Sequence, residues 1–289
     1  MPEIDAVILF SHGSLMCDSG RALEQHAERL RTSLDLPVEI GYLNYSEPLF
    51  ADVVAGLYRL GHRRLHIVPY FLINGYFVKV ELKRCIEQSQ AQFPKVCFSI
   101  AEAMGNELLL CESLIESANE PITIQEFRCA QVVEKRLCKS LDSCPMFGTK
   151  FCPATGPEAA TIPQSNLVVP DSLLVMVHGT PKPEANDDII QVVKTVRERK
   201  IYDRVDIGYM ECNQPDIPTA ISAMVTTGAQ SVVAVPYFLH TGRHVCEDLP
   251  NFIAEAQLTH PHVQFRMGNF IGASQKVTDL LLKRVGNVG

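Results

Sequence analysis

Residues 6–14 read AVILFSHGS, and residues 173–181 read LLVMVHGTP. In both, a short run of apolar residues ends in a histidine, a glycine and a small hydroxylated residue. An uninterrupted apolar run of this length marks a strand buried on both faces, as in a parallel sheet covered by helices. The likeness continues along the chain. EIGYLNYSEP (39–48) is answered by DIGYMECNQP (206–215), VPYFL begins at Val68 and again at Val235, and MGN begins at Met104 and again at Met267. The offset between paired landmarks stays within 163–167 residues, so the chain carries two copies of one unit.

Each copy alternates strand and helix. The amphipathic stretches GRALEQHAERLRTSL (20–34) and NDDIIQVVKTVRERK (186–200) follow the first strand, and VEIGYL (38–43) or VDIGYM (205–210) supplies the second. The next helix ends at Gly61 or Gly228, each placed as a C-cap. Third strands are predicted at RRLHIVPYFL (63–72) and QSVVAVPYFL (230–239), and fourth strands at VCFSIAEAM (96–104) and VQFRMGNF (263–270). The fold class expected is α/β: two similar domains, each a parallel sheet flanked by helices. The boundaries expected are 1–118 and 172–289, with an insertion at 119–171 that has no counterpart and is too long for a minimal linker.

With 289 residues, 46% of them apolar and 20% charged, the chain has the composition of a soluble globular protein. A net charge of −7 gives no basic surface for general nucleic-acid binding. Neither a membrane-length apolar run nor a secretory signal is present, so a cytoplasmic location is expected, with no nucleic-acid or membrane partner. In that compartment ten cysteines read as free thiols or metal ligands rather than disulfides.

Ligands of an open parallel sheet bind at the carboxyl ends of its strands. In the second copy His178 follows the first strand, Glu211 ends the second, and His240 and His244 follow the third. Imidazole suits divalent cobalt, iron, nickel or zinc, and a carboxylate can bind metal or accept a proton. The first copy keeps His12 but has Asn44, Ile73 and Phe77 at the places of Glu211, His240 and His244. One site is expected to work and the other to be degenerate, its apolar replacements forming a wall or lid.

At these residues the chain resembles the sirohydrochlorin cobalto-/ferrochelatase family, the small ATP-independent class II chelatases, in a two-repeat form. VMVHGTPKPEAN, GYMECNQP, VVAVPYFLHTGRHVCEDLP and MGNF follow that family's motifs in order, and LFSHGS, YLNYSEP and VPYFLINGYFVKVEL do so in the first copy. The resemblance implies a chelatase fold with two α/β halves facing across a cleft, as a monomer with an internal pseudo-dimer or as a homodimer. It implies insertion of Co2+ or Fe2+ into sirohydrochlorin or a close relative, with the divalent metal and the tetrapyrrole as substrates. Under it, His178, Glu211 and His244 hold the metal and take up protons, and His12 contacts substrate. No Gly-x-x-x-x-Gly-Lys-Ser/Thr loop occurs, which agrees with ATP independence. Arg243, Lys182, Lys79 and Lys83 lie in or beside the motif loops and are candidates for the carboxylates of such a substrate, or ordinary surface charges.

Cys129, Cys138, Cys144 and Cys152 place four thiols within the insertion, the usual complement of an iron–sulfur cluster or structural zinc. Their spacing matches no standard cluster motif, and Cys129 and Cys138 fall on a predicted helix where packing would also explain them. Some members of the resembled family carry clusters, so both readings stand. A non-catalytic tetrapyrrole or metal carrier and a cluster-based redox sensor are the functional alternatives.

Overall fold

A computed structural model of the chain describes residues 4–14, 19–120, 122 and 170–286. The first half runs β1 (Ala6–Ser11), α1 (Arg21–Ser33), β2 (Val38–Tyr42), α2 (Phe50–Arg59), β3 (Arg64–Pro69), α3 (Leu82–Gln92), β4 (Cys97–Ile100) and α4 (Leu108–Asn119). The second runs β5 (Ser172–Val177), α5 (Asp187–Glu198), β6 (Arg204–Tyr209), α6 (Ile217–Thr226), β7 (Ser231–Pro236), α7 (Leu249–Thr259), β8 (Gln264–Met267) and α8 (Gln275–Gly286). The α/β expectation holds: the described strands form two parallel four-stranded sheets, β2-β1-β3-β4 and β6-β5-β7-β8. None of the described helices is long and apolar enough to cross a membrane.

The apolar runs behave as central strands must. All six residues of β1 and of β5 are buried, because helices cover both faces of the sheet. On α1 the buried Leu23, His26, Ala27 and Leu30 fall at helical spacing on one stripe. Gly61 and Gly228 take φ of +98° and +102°, the left-handed conformation of a helix end that glycine adopts without strain. The third strands stop at Pro69 and Pro236, earlier than the sequence pattern suggested, and Tyr-Phe-Leu leaves the sheet as loop. Both are followed by a single π-helical turn, Phe77–Glu81 or His244–Asp248, that runs into α3 or α7.

The compact units are not the two repeats. Among the described residues, one comprises 4–14, 20–105 and 275–286, and the other 19, 106–120, 122 and 170–274. Division at 118 and 172 follows the repeats of sequence, whereas in space the helix closing each repeat is built into the unit of the other. The physical reason lies in where their apolar faces are buried. Leu110, Cys111, Leu114 and Ala118 of α4 are buried as that helix packs on α5 and β7, and the Ser113 hydroxyl donates to the carbonyl of Ile271. Val277, Leu280, Leu281 and Val285 of α8 are buried as it packs on α1 and β3.

Polar groups fasten α8 within the first unit. His26 Nδ1 lies 2.8 Å from Thr278 Oγ1, and the Arg284 guanidinium donates to the carbonyls of Ala103 and Met104. Buried His66 on β3 donates from Nε2 to the Arg284 carbonyl at 3.2 Å and accepts at Nδ1 from the Ser99 hydroxyl at 2.7 Å. Burial pushes the His66 pKa down, with the bond to Arg284 opposing in part. A histidine held neutral by the fold contributes its stability above its unfolded pKa, near 6.5, and loses it as pH falls further toward the folded value. The thermal midpoint of the wild type should therefore fall between pH 7.5 and pH 5. His66→Gln should lower the midpoint at pH 7.5 but show a shallower pH dependence; equal slopes would mean that His66 is not a titrating group of this transition.

Candidate active site

In each sheet the chain passes from the first strand to an edge on one side and then to the other side. The loops after β5 and β7 therefore diverge, and a crevice opens at the carboxyl ends of those two strands. His178 leaves the end of β5. Beyond the strands the β5–β6 ladder continues, with the Glu211 N–H donating to the His178 carbonyl at 3.0 Å, so these two residues are locked side by side. Gly179, at φ +91°, turns the chain between them. His244 opens the π-helical turn after β7.

The side chains converge. His178 Nε2 meets Glu211 Oε1 at 3.0 Å, and its Nδ1 donates to the Gly179 carbonyl at 3.1 Å. The bond to the carbonyl places the ring hydrogen on Nδ1, so Nε2 is the nitrogen that faces the Glu211 carboxylate. A divalent cation between Nε2 and Oε1 would have these two ligands to hand. The His244 ring stands edge-on to His178 with centroids 5.0 Å apart. His244 Nδ1 donates to Asp248 Oδ2 at 2.8 Å, which fixes the tautomer and leaves the Nε2 lone pair for a metal or a proton. Among the described residues no three His, Cys, Asp or Glu side chains are gathered into a ready-made ligand cage.

The family model described as CbiX matches residues 6–121 and 172–288, most of the chain and both repeats. The chain belongs to the CbiX family. Curated relatives include a sirohydrochlorin cobaltochelatase of Methanococcus aeolicus, 35% identical over 29% of this chain and 58% of that one. Another, from Priestia megaterium, is 20% identical over 86% of this chain and 68% of that one. A chloroplastic sirohydrochlorin ferrochelatase of Arabidopsis thaliana is 30% identical over 40% of this chain and 51% of that one. The alignment spans under two thirds of the length of the first of these relatives. Bacillus subtilis SirB, solved with Fe3+, superposes with a TM-score of 0.73 at 15% identity, covering 98% of this chain and 95% of that one. Deinococcus radiodurans DR2241, a multi-domain protein, gives a TM-score of 0.67 at 18% identity, with 97% of this chain and 54% of that one covered. These two establish the chelatase fold.

Within this CbiX-family chain the structure unites His178, Glu211 and His244, the three residues expected from the sequence. His240 stands apart, its Nδ1 donating to the Ser19 carbonyl at 3.2 Å. Arg243 is not a free cation: its Nε lies 3.4 Å from Glu247 and 3.7 Å from Asp248. Lys182 is exposed on the loop that follows β5. Lys79, Lys83 and His12 belong to the first unit, where the His12 ring packs 4.5 Å from Phe77. Asn44 stands in the place of Glu211 there, and its buried Oδ1 has no hydrogen-bond partner among the described residues. Cys129, Cys138, Cys144 and Cys152 lie outside the described residues. Sequence reasoning missed Asp248 and Phe238; the ring of Phe238 lies 6.5 Å from His178 and 6.2 Å from His244. The signal for Asp248 was there, four residues after His244 on a helical turn.

Proposed function

We propose that this chain inserts a divalent metal, Co2+ or Fe2+, into sirohydrochlorin or a closely related tetrapyrrole without ATP. The observation that carries the reading is the meeting of His178, Glu211 and His244 at the carboxyl ends of β5, β6 and β7. Family membership supports it, as do the names of the relatives, cobaltochelatases in Methanococcus and Priestia and a ferrochelatase in Arabidopsis. Bacillus subtilis SirB has been solved with Fe3+ and with cobalt.

Metal insertion replaces two pyrrole protons with one dication, so a site must present the ion and accept two protons. The His178–Glu211 pair would take the ion at Nε2 and Oε1. As the ion passes to the macrocycle, those atoms become free to receive protons. His244, oriented through Nδ1 by Asp248, offers its Nε2 as the second basic nitrogen beside them. Imidazole changes charge near neutral pH, so proton uptake and release cost little there.

The test is anaerobic incubation of the protein with sirohydrochlorin and Co2+ or Fe2+ in parallel, followed by macrocycle absorbance. Insertion well above the spontaneous rate is expected. Binding of the macrocycle with no acceleration for either metal would overturn the enzymatic reading in favour of a carrier.

A further inference from the structure

Glu211 is the most exposed of the three site residues, its side chain 59% exposed against 45% for His178 and 41% for His244. Packing therefore does little to place its carboxylate, and the backbone must do so. That backbone is unusual. The Asn213 N–H donates to the Glu211 carbonyl at 2.8 Å across Cys212, which takes φ of +65°. A bond between residues two apart around a positive φ is a γ-turn of the rare, strained kind. Cysteine lacks the freedom of glycine at such a φ, so the turn persists only where its surroundings hold it closed.

Asn213 supplies the hold. Its half-buried side chain reaches the loop after β5, where Oδ1 accepts the Thr180 N–H at 2.7 Å. A backbone N–H can only donate, so it is the amide oxygen that faces it. The Glu211 N–H, for its part, donates to the His178 carbonyl at 3.0 Å. Three bonds thus close a ring: His178 to Glu211, Glu211 to Asn213, and Asn213 to Thr180. Gly179 lies within it, and a Cβ added there would stand 3.1 Å from Asn213 Oδ1.

The first unit builds the same device from different atoms. Tyr45 takes φ of +63°, the Ser46 N–H donates to the Asn44 carbonyl at 2.8 Å, and Ser46 Oγ accepts the Ser14 N–H at 3.0 Å. Ser46 and Asn213 are counterparts 167 residues apart. A hydroxyl in one copy and an amide oxygen in the other do one job, so what position 213 must supply is an acceptor of that reach.

We propose that Asn213 is a positioning residue for metal handling: by accepting the Thr180 N–H it holds the strained turn at Cys212 closed and keeps the Glu211 carboxylate against His178 Nε2. It acts through Glu211 and is not itself a ligand. Without it the turn relaxes toward negative φ, the region open to ordinary residues, and the carboxylate swings away from the imidazole. The proposal rests on the reading that His178 and Glu211 take up the dication.

The test uses Co2+ alone as the probe: anaerobic titration of the full chain, read from the visible absorption of the bound ion, beside insertion rates and thermal midpoints. Asn213→Ala should raise Kd for Co2+ about 10–100-fold and slow insertion at subsaturating Co2+ by a similar factor, the usual effect of losing a group that orients a ligand. Asn213→Ser should recover most of both, because Ser46 shows that a hydroxyl makes the bond. Ser46→Ala removes the matching bond from the first unit; it should lower the thermal midpoint about as much as Asn213→Ala and leave Co2+ affinity unchanged. Cys212→Gly removes the strain and should raise the midpoint. Wild-type Co2+ affinity in Asn213→Ala would overturn the clamp and leave the proposed function standing. Asn213→Ser as impaired as Asn213→Ala would also overturn it, as would a lowered midpoint in Cys212→Gly, which tests the strain even if Asn213→Ala does not fold. A wild type whose Co2+ affinity depends on Asn213 but which does not metallate sirohydrochlorin would uphold the clamp and remove the enzymatic reading. Failure of the wild type to bind Co2+ would remove both.

Discussion

His244→Ala is expected to lower the rate of metal insertion by roughly 10²–10⁴-fold, the usual worth of a positioned acid–base group. His178→Ala should do the same. His178 is the imidazole in contact with Glu211, at 3.0 Å, and His244 offers the neighbouring nitrogen. If the two rings act on one ion in turn, their losses will not add: the double variant should be hardly slower than either single one. Asp248→Asn provides the graded case. The amide can still sit 2.8 Å from His244 Nδ1, but it no longer provides a charge to hold the tautomer and raise the basicity of Nε2. A loss of about 10–100-fold is the usual effect of removing such a partner. Anaerobic absorbance assays with each variant would decide the order. Full activity in His244→Ala would place the chemistry elsewhere.

Gly179→Ala should destabilise the protein by about 3–5 kcal/mol and abolish insertion as well. Its φ of +91° alone would strain an alanine by about 1–3 kcal/mol. In addition, the new Cβ would fall on the carbonyl oxygen of Glu211. That oxygen cannot easily move aside, because it accepts the Asn213 N–H at 2.8 Å. Relief of the clash must therefore push the His178 turn away from Glu211. Gly228→Ala is the control: φ is +102° but no atom lies within 4 Å of the built Cβ, so only the backbone strain remains. Thermal unfolding of the two variants side by side should show a loss at least twice as large for Gly179→Ala; equal losses would mean that the close approach to Glu211 is soft. Gly13 repeats the geometry against the carbonyl of Asn44 in the unit that has lost its site. The glycine thus serves the strand-end packing first, and the chemistry inherits it.

Much of this protein was legible in its sequence for definite physical reasons. Strands buried on both faces must be apolar throughout, so AVILF and LLVMV announced a parallel sheet. Repetition at a near-constant offset then exposed two copies and, through Asn44, Ile73 and Phe77, which copy had kept its polar residues. Placing His178, Glu211 and His244 together needed only the rule that strand ends of one sheet share an edge, and the structure joins the first two at 3.0 Å.

Other features were decided in three dimensions. No local pattern shows that α4 completes the second unit and α8 the first, because an amphipathic helix records that it will be buried, not against which sheet. The i,i+4 spacing of His244 and Asp248 was legible, but that they meet through Nδ1 was decided by the folded π-helical turn. The i,i+4 spacing of Arg243 and Glu247 was legible, but the approach of Asp248 to the same guanidinium was settled by the folded turn. Sequence specified the strands, the repeat and the residue types that can do the chemistry. Tertiary packing alone decided which helix covers which sheet, and which nitrogen of which histidine is left open to react.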